Sequence, residues 1–126
     1  MSVDNETSSI VTIRASGSDA WAEIELEYSW SSTGTLFSIR TKRVRAADNG
    51  RSKGNIKLAL VSAVDTGWKE MNDDDGVQNG QWYTFDTTLS VAGNNKEATI
   101  HFNWIYDQAF PRKDINMTGQ KTVLRN

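Results

Sequence analysis

Two stretches of the chain alternate apolar and polar residues with period two and double back through a turn, which predicts two antiparallel β-hairpins. In the first, from about residue 20 to 46, Ala22, Ile24, Leu26, Tyr28 and Trp30 share one face, matched by Phe37, Ile39 and Thr41 on the return strand. The turn falls at Ser31-Ser32-Thr33-Gly34. The other face holds Glu23, Glu25 and Glu27 with Arg40 and Lys42, so a glutamate is expected opposite each of those two cations. The second hairpin runs from about residue 81 to 106 and turns at Gly93-Asn94, a pair suited to positive φ. Pairing through that turn places Tyr83, Phe85, Thr87 and Leu89 opposite Trp104, Phe102, Ile100 and Ala98 on an apolar face. Trp82, Thr84, Asp86 and Thr88 then oppose Ile105, Asn103, His101 and Thr99 on a polar one. One core is expected to hold Phe85, Phe102, Tyr83, Trp104, Leu26 and Tyr28.

The segment between the hairpins carries two periods at once. Ile56, Leu60, Val64, Trp68 and Met71 form a helical stripe, whereas Ile56, Leu58 and Leu60 alternate like a strand. The stripe predicts a crossover helix over about 55–71 with Asn55 as N-cap, and with it a mainly β, α+β fold. Taking 55–63 as a strand instead gives an all-β sandwich of about seven strands. Residues 10–15 suit either a short edge strand or a helix, and Thr122-Val123-Leu124 a last strand. The stretches 46–54 and 72–80 carry Asn-Gly pairs and read as loops.

The 126 residues suit a single domain, 1–126, with one core. Fourteen basic against sixteen acidic side chains leave a net charge of −2, too weak a field to argue for nucleic acid or an anionic membrane. The absence of cysteine removes thiol catalysis, disulfides and thiolate metal sites. The opening residues lack the basic and apolar regions of a signal peptide, and no apolar run is long enough to span a membrane, so a cytoplasmic protein is expected. Sequons at Asn5-Glu6-Thr7 and Asn116-Met117-Thr118 matter only in a glycosylating compartment.

Several constellations could carry chemistry. Asp86 facing His101 would orient an imidazole for acid/base work, but no nucleophile or oxyanion hole accompanies the pair, and a surface ion pair explains it. Gly50-Arg51-Ser52-Lys53-Gly54 matches a nucleophile-elbow spacing, yet the elbow needs a parallel sheet and a later histidine on a loop; a flexible turn fits better. Asp73, Asp74 and Asp75 before Gly76 suggest calcium, but aligning that glycine to an EF-hand puts Met71 at the first ligand position and Trp82 at the last. A solvated acidic loop, or a docking patch for a basic partner, is the expectation, and no metal or cofactor is assigned. Arg40, Lys42, Arg43, Arg45, Arg51 and Lys53 could track phosphates, though two are already partnered by glutamates and no stacking aromatics interleave. Of the five tryptophans, Trp30, Trp68 and Trp104 fall on core positions, while Trp21 and Trp82 fall on polar faces where recognition sites place them.

The run from Trp21 to Tyr28, a strand around 36–40, a helix-like connection, Trp82-Tyr83-Thr84-Phe85 with Leu89, and Ile100-His101-Phe102-Asn103-Trp104 resemble the element order of the YezG-like immunity proteins of bacterial polymorphic-toxin systems. The resemblance spans about residues 21–111. The chain departs from it in a missing or reduced N-terminal amphipathic helix and a truncated C-terminal region. It implies a cytosolic, non-enzymatic protein that neutralises a toxin by binding it. A basic toxin would be steered by Asp73, Asp74 and Asp75 and anchored by Trp82. The alternative is a carbohydrate-binding β-sandwich using Trp82, Thr84, Asp86, His101 and Asn103 as a sugar platform.

Overall fold

The computed structural model describes residues 7–126, so Asn5 and Glu6 of the first sequon lie outside the described residues. Ten strands follow one another: β1 (Ser9–Gly17), β2 (Ala20–Trp30), β3 (Leu36–Ala46), β4 (Arg51–Val61), β5 (Lys69–Glu70), β6 (Gly76–Gln78), β7 (Tyr83–Thr84), β8 (Thr88–Ala92), β9 (Glu97–Tyr106) and β10 (Ile115–Leu124). They form an antiparallel sheet in the order β5-β4-β9-β10-β1-β2-β3-β7, with β6 added to β4 and β8 to β3, curled into a half-barrel. The described residues contain no helix, and hence none long and apolar enough to cross a membrane.

The expected crossover helix over 55–71 is therefore absent, and the fold is all-β rather than α+β. The alternating reading of Ile56, Leu58 and Leu60 is the one realised, since all three point inward from β4 and are buried. The helical stripe misleads because β4 is covered on both faces: outward Asn55 and Ala59 are buried as well, and a strand buried on both sides lacks clean alternation. Beyond Val61 the stripe breaks up: Val64 and Trp68 are 55% and 48% exposed, and Met71 alone returns to pack against the core. With ten strands in one curled sheet, the seven-strand sandwich is not realised either.

The first predicted hairpin is present as β2 and β3, with Trp30 opposite Phe37 and Ala22 opposite Ala46. Its ladder contains a β-bulge that leaves Lys42 without a partner, so Glu27, Glu25 and Glu23 face Arg40, Arg43 and Arg45. Buried Thr41 explains the irregularity: its hydroxyl donates to the Phe85 carbonyl at 2.6 Å and accepts the Thr87 N–H at 2.8 Å, tying the link between β7 and β8 to β3.

The second predicted hairpin does not form. β9 gives both edges to longer partners, β4 and β10, which leaves none for the strand before it. β8 pairs instead with the free edge of β3, Leu36 opposite Ala92 and Arg40 opposite Thr88. Face parity survives the change of partner, because it belongs to each strand separately. Ala98, Ile100, Phe102 and Trp104 are buried with Leu26, while Phe85 and Tyr28 pack at the margin of the core. Tyr83 is 38% exposed and lies outside it. Residues 10–15 belong to β1, which is an interior strand between β10 and β2.

Candidate functional site

β3 and β4 are consecutive in the chain, yet they stand on opposite margins of the curled sheet and do not pair. The seam between them is stapled at both ends. At one end Gln78, fully buried, donates to Asn49 Oδ1 and the Asp107 carbonyl at 3.0 and 2.9 Å and accepts from Trp104 Nε1 and the Asp107 N–H at 3.1 and 2.8 Å. All the hydrogen-bonding capacity of its amide is thereby used, which is why a polar side chain is stable there. At the other end the Ala63 N–H donates to the Ala92 carbonyl at 2.9 Å, and Asn94 N–H to Ser62 Oγ at 3.0 Å.

Between the staples the seam stays open as a cleft of about 380 Å³. Val44, Ile56, Met71 and Phe85 supply its apolar lining, and Tyr83, Asp73 and Asp75 line it with polar groups. The acidic segment is held firmly against β4. Asn72 accepts the Ile56 N–H and donates to the Gly54 carbonyl, both at 2.9 Å, and Met71 N–H donates to the Ile56 carbonyl at 2.9 Å. Asp74 takes a left-handed φ of 53° and turns its carboxylate to Asn55 Nδ2 at 2.6 Å, away from its two neighbours. Asp73 and Asp75 are exposed, and among the described residues neither forms an ion pair or a side-chain hydrogen bond. The cleft therefore combines apolar surface with negative charge that the fold does not neutralise.

Trp82 lies next to this cleft in sequence but not in it. It sits half-buried on the outer face, with Arg43 and Arg45 at 4.2 and 4.5 Å from its ring centroid. Arg45 and Arg14 cover Trp21 at 5.4 and 4.7 Å. Each guanidinium also meets a glutamate, Arg43 with Glu25, and Arg45 and Arg14 with Glu23. Such stacks contribute about 0.5–1 kcal/mol each at exposed sites, so both tryptophans are accounted for as parts of a charged, aromatic-capped sheet face.

The other sequence candidates are dispersed. Asp86 does not meet His101; it receives Arg40 through two hydrogen bonds of 2.8 Å, and that guanidinium holds its carboxyl below the usual range. His101 lies on β9, four strands away in sheet order from β3, and its ring instead stands against Trp68 at 6.1 Å between centroids. The sugar platform of Trp82, Thr84, Asp86, His101 and Asn103 is thus split between the two sides of the sheet. Asn103 is buried, donating to the Met117 carbonyl at 2.8 Å. Among the described residues no group of three or more carboxylates or histidines is placed to hold a metal ion. In the basic cluster, Arg40, Arg43, Arg45 and Arg51 already have carboxylate partners, so phosphates would have to displace them. Of residues 50–54 only Gly50 lies in a turn; Arg51, Ser52, Lys53 and Gly54 begin β4, so the expected flexible turn is mostly strand.

Sequence reasoning missed Phe85 and Met71 as cleft residues and Trp68 as a surface residue. Only the unneutralised charge of Asp73 and Asp75 was visible in advance. No protein-family model, curated protein or solved structure matches the chain.

Proposed function

We propose that this chain is a non-enzymatic protein-binding domain that receives a cationic side chain of a basic partner in the seam cleft. The observation that carries the reading is the pairing of an apolar lining with two carboxylates that have no counter-charge of their own. A lysine or arginine side chain matches both parts, an aliphatic stem against Val44, Ile56 and Phe85 and a charged head at Asp73 and Asp75. Neutralisation of a basic toxin in the cytoplasm, the role implied by the resemblance to immunity proteins, is the specific form of this proposal. Trp82 is not the anchor in it; Phe85 and Tyr83 take that place.

The test is capture of the partner from the native host, followed by binding kinetics across a range of salt. Asp73→Asn combined with Asp75→Asn should slow association and flatten its salt dependence, because exposed charges act mainly on encounter. Phe85→Ala should chiefly speed dissociation. A captured partner that is acidic, or whose kinetics neither variant changes, refutes the reading.

A further inference from the structure

The two outer faces of the sheet differ in chemistry. Across β2 and β3, joined by Arg14 of β1, the outward face carries the Glu–Arg ladder, whereas on β9 from Thr99 to Asn103 and on β10 from Asn116 to Thr122 every outward residue is an amide, a threonine or His101. Trp68 stands at the rim of this uncharged face. β5 pairs with β4 at Lys69 opposite Leu58, which brings Trp68 alongside Ala59 and, beyond it, His101. The indole meets the imidazole edge-on, with 74° between the rings, and it covers buried Ala59 while half of its own surface stays open.

Beside it lies a hollow of about 290 Å³ lined by Trp68, His101, Asp65, Ala59, Val61 and Gly67. The segment that carries Trp68 is already fixed. Leu60 N–H donates to Thr66 Oγ1, Thr66 N–H to the Leu60 carbonyl, and Gly67 N–H to Asp65 Oδ1, at 2.9, 2.9 and 2.7 Å. That last bond occupies one carboxylate oxygen of Asp65, and among the described residues the other oxygen has no partner. The His101 imidazole makes no hydrogen bond there either. One exposed aromatic plane is thus flanked by two polar groups with unused capacity, beside the amide and hydroxyl surface of β9 and β10, with Lys57 opposite Glu70 further along β4.

We infer that this hollow is a binding subsite for a neutral saccharide. The apolar C–H face of a pyranose ring stacks on the Trp68 indole, and its hydroxyls donate to Asp65 and exchange hydrogen bonds with His101. The volume lies just below the range for drug-sized ligand sites, roughly 300–1,000 Å³, which suits a single ring. Asp65 is the one carboxylate that lines the hollow, no lysine or arginine lines it, and this selects against anionic ligands, acidic sugars included. The subsite is independent of the seam cleft and does not rest on its proposed role.

The probes are the neutral methyl glycosides of glucose, galactose, mannose and N-acetylglucosamine, followed by saturation-transfer NMR and by the indole N–H resonances of the whole chain. At least one glycoside should receive saturation and shift the Trp68 resonance, identified by its loss in Trp68→Phe. Trp68→Ala should weaken that binding at least about tenfold, a change of about 1.4 kcal/mol, and Trp68→Phe, which keeps an aromatic face, by less. His101→Ala should weaken it several-fold and Trp82→Ala should leave it unchanged, with all variants melting as folded proteins. The inference is overturned if none of the four glycosides shifts Trp68, or if Trp68→Ala binds as the wild type does.

Discussion

Replacing Gly119 with alanine should cost more than about 4 kcal/mol, in the range that only a backbone collision or a broken core reaches, and should leave little folded protein. Gly119 lies on β10 opposite Phe102, where β10 approaches β1 most closely. A Cβ at this position would sit 2.0 Å from the Arg14 carbonyl oxygen and 2.8 Å from its carbon. Those are main-chain atoms of a strand whose own register to β2 is continuous from Ser9 to Gly17, so they cannot swing aside as a side chain would. The same approach brings Ser16 opposite Thr118 in register and Gly17 against Ile115 and Met117, so a shift at Gly119 would disturb the whole β1–β10 join. Gly80→Ala is the control. Gly80 has a positive φ of 81° but open space around it, so its variant should lose only about 1–2 kcal/mol. Urea melts of both variants check this, and equal losses would mean that β1 and β10 can separate at little cost.

Trp104→Ala should be the next most damaging change, at about 3–5 kcal/mol for deletion of a buried large aromatic. Its ring is fully buried between two glycines, since a Cβ on Gly54 would lie 2.6 Å from it and one on Gly76 2.8 Å. The surroundings have thus been reduced to bare backbone to admit the indole, and backbone does not collapse readily into the void left behind. The indole N–H is also one of the bonds that satisfy Gln78 at the stapled end of the seam. Trp104→Phe keeps most of the packing and removes that bond, and should cost about 1–3 kcal/mol. Denaturant melts should order the two variants in this way. A loss below about 1 kcal/mol for Trp104→Ala would show that the seam closes over the vacancy.

What was legible in advance follows the range of the signal. The inward and outward faces of β2, of β9 and of β3 as far as Thr41 could be read because side-chain alternation is a property of each strand alone, whereas over β4 the competing helical stripe hid it. The partner of β8 could not, since it depends on which edges remain free after β4 and β10 have taken β9. Lys42 was misplaced in the charge ladder for a similar reason: the bulge is held by Thr41 bonding to residues near 85–87, and nothing beside Lys42 announces it. Trp68 illustrates the opposite error, in which a spacing of four suggested a helix where the chain has already left the core. In the acidic loop the charge was visible, but not that Asn55 would draw off Asp74 and leave Asp73 and Asp75 facing the cleft.

The order in which strands neighbour one another also bears on how the chain reaches its native state. β1, β2 and β3 pair in sequence as a meander, and β9 pairs with β10 across one loop, so these units close early at small entropic cost. The joining of Ser16 to Thr118, and of β4 to β9, links residues far apart in the chain and has to come late. Trimming the meander core by Ile24→Val should therefore slow folding, whereas Leu58→Ala on β4 should mainly hasten unfolding. Stopped-flow measurements across denaturant separate the two effects, and a shared response on the unfolding limb would contradict this sequence of events. The stretch where β3 and β4 stand apart is then the last region to become ordered, and its native spacing is reached only after both margins of the sheet are in place.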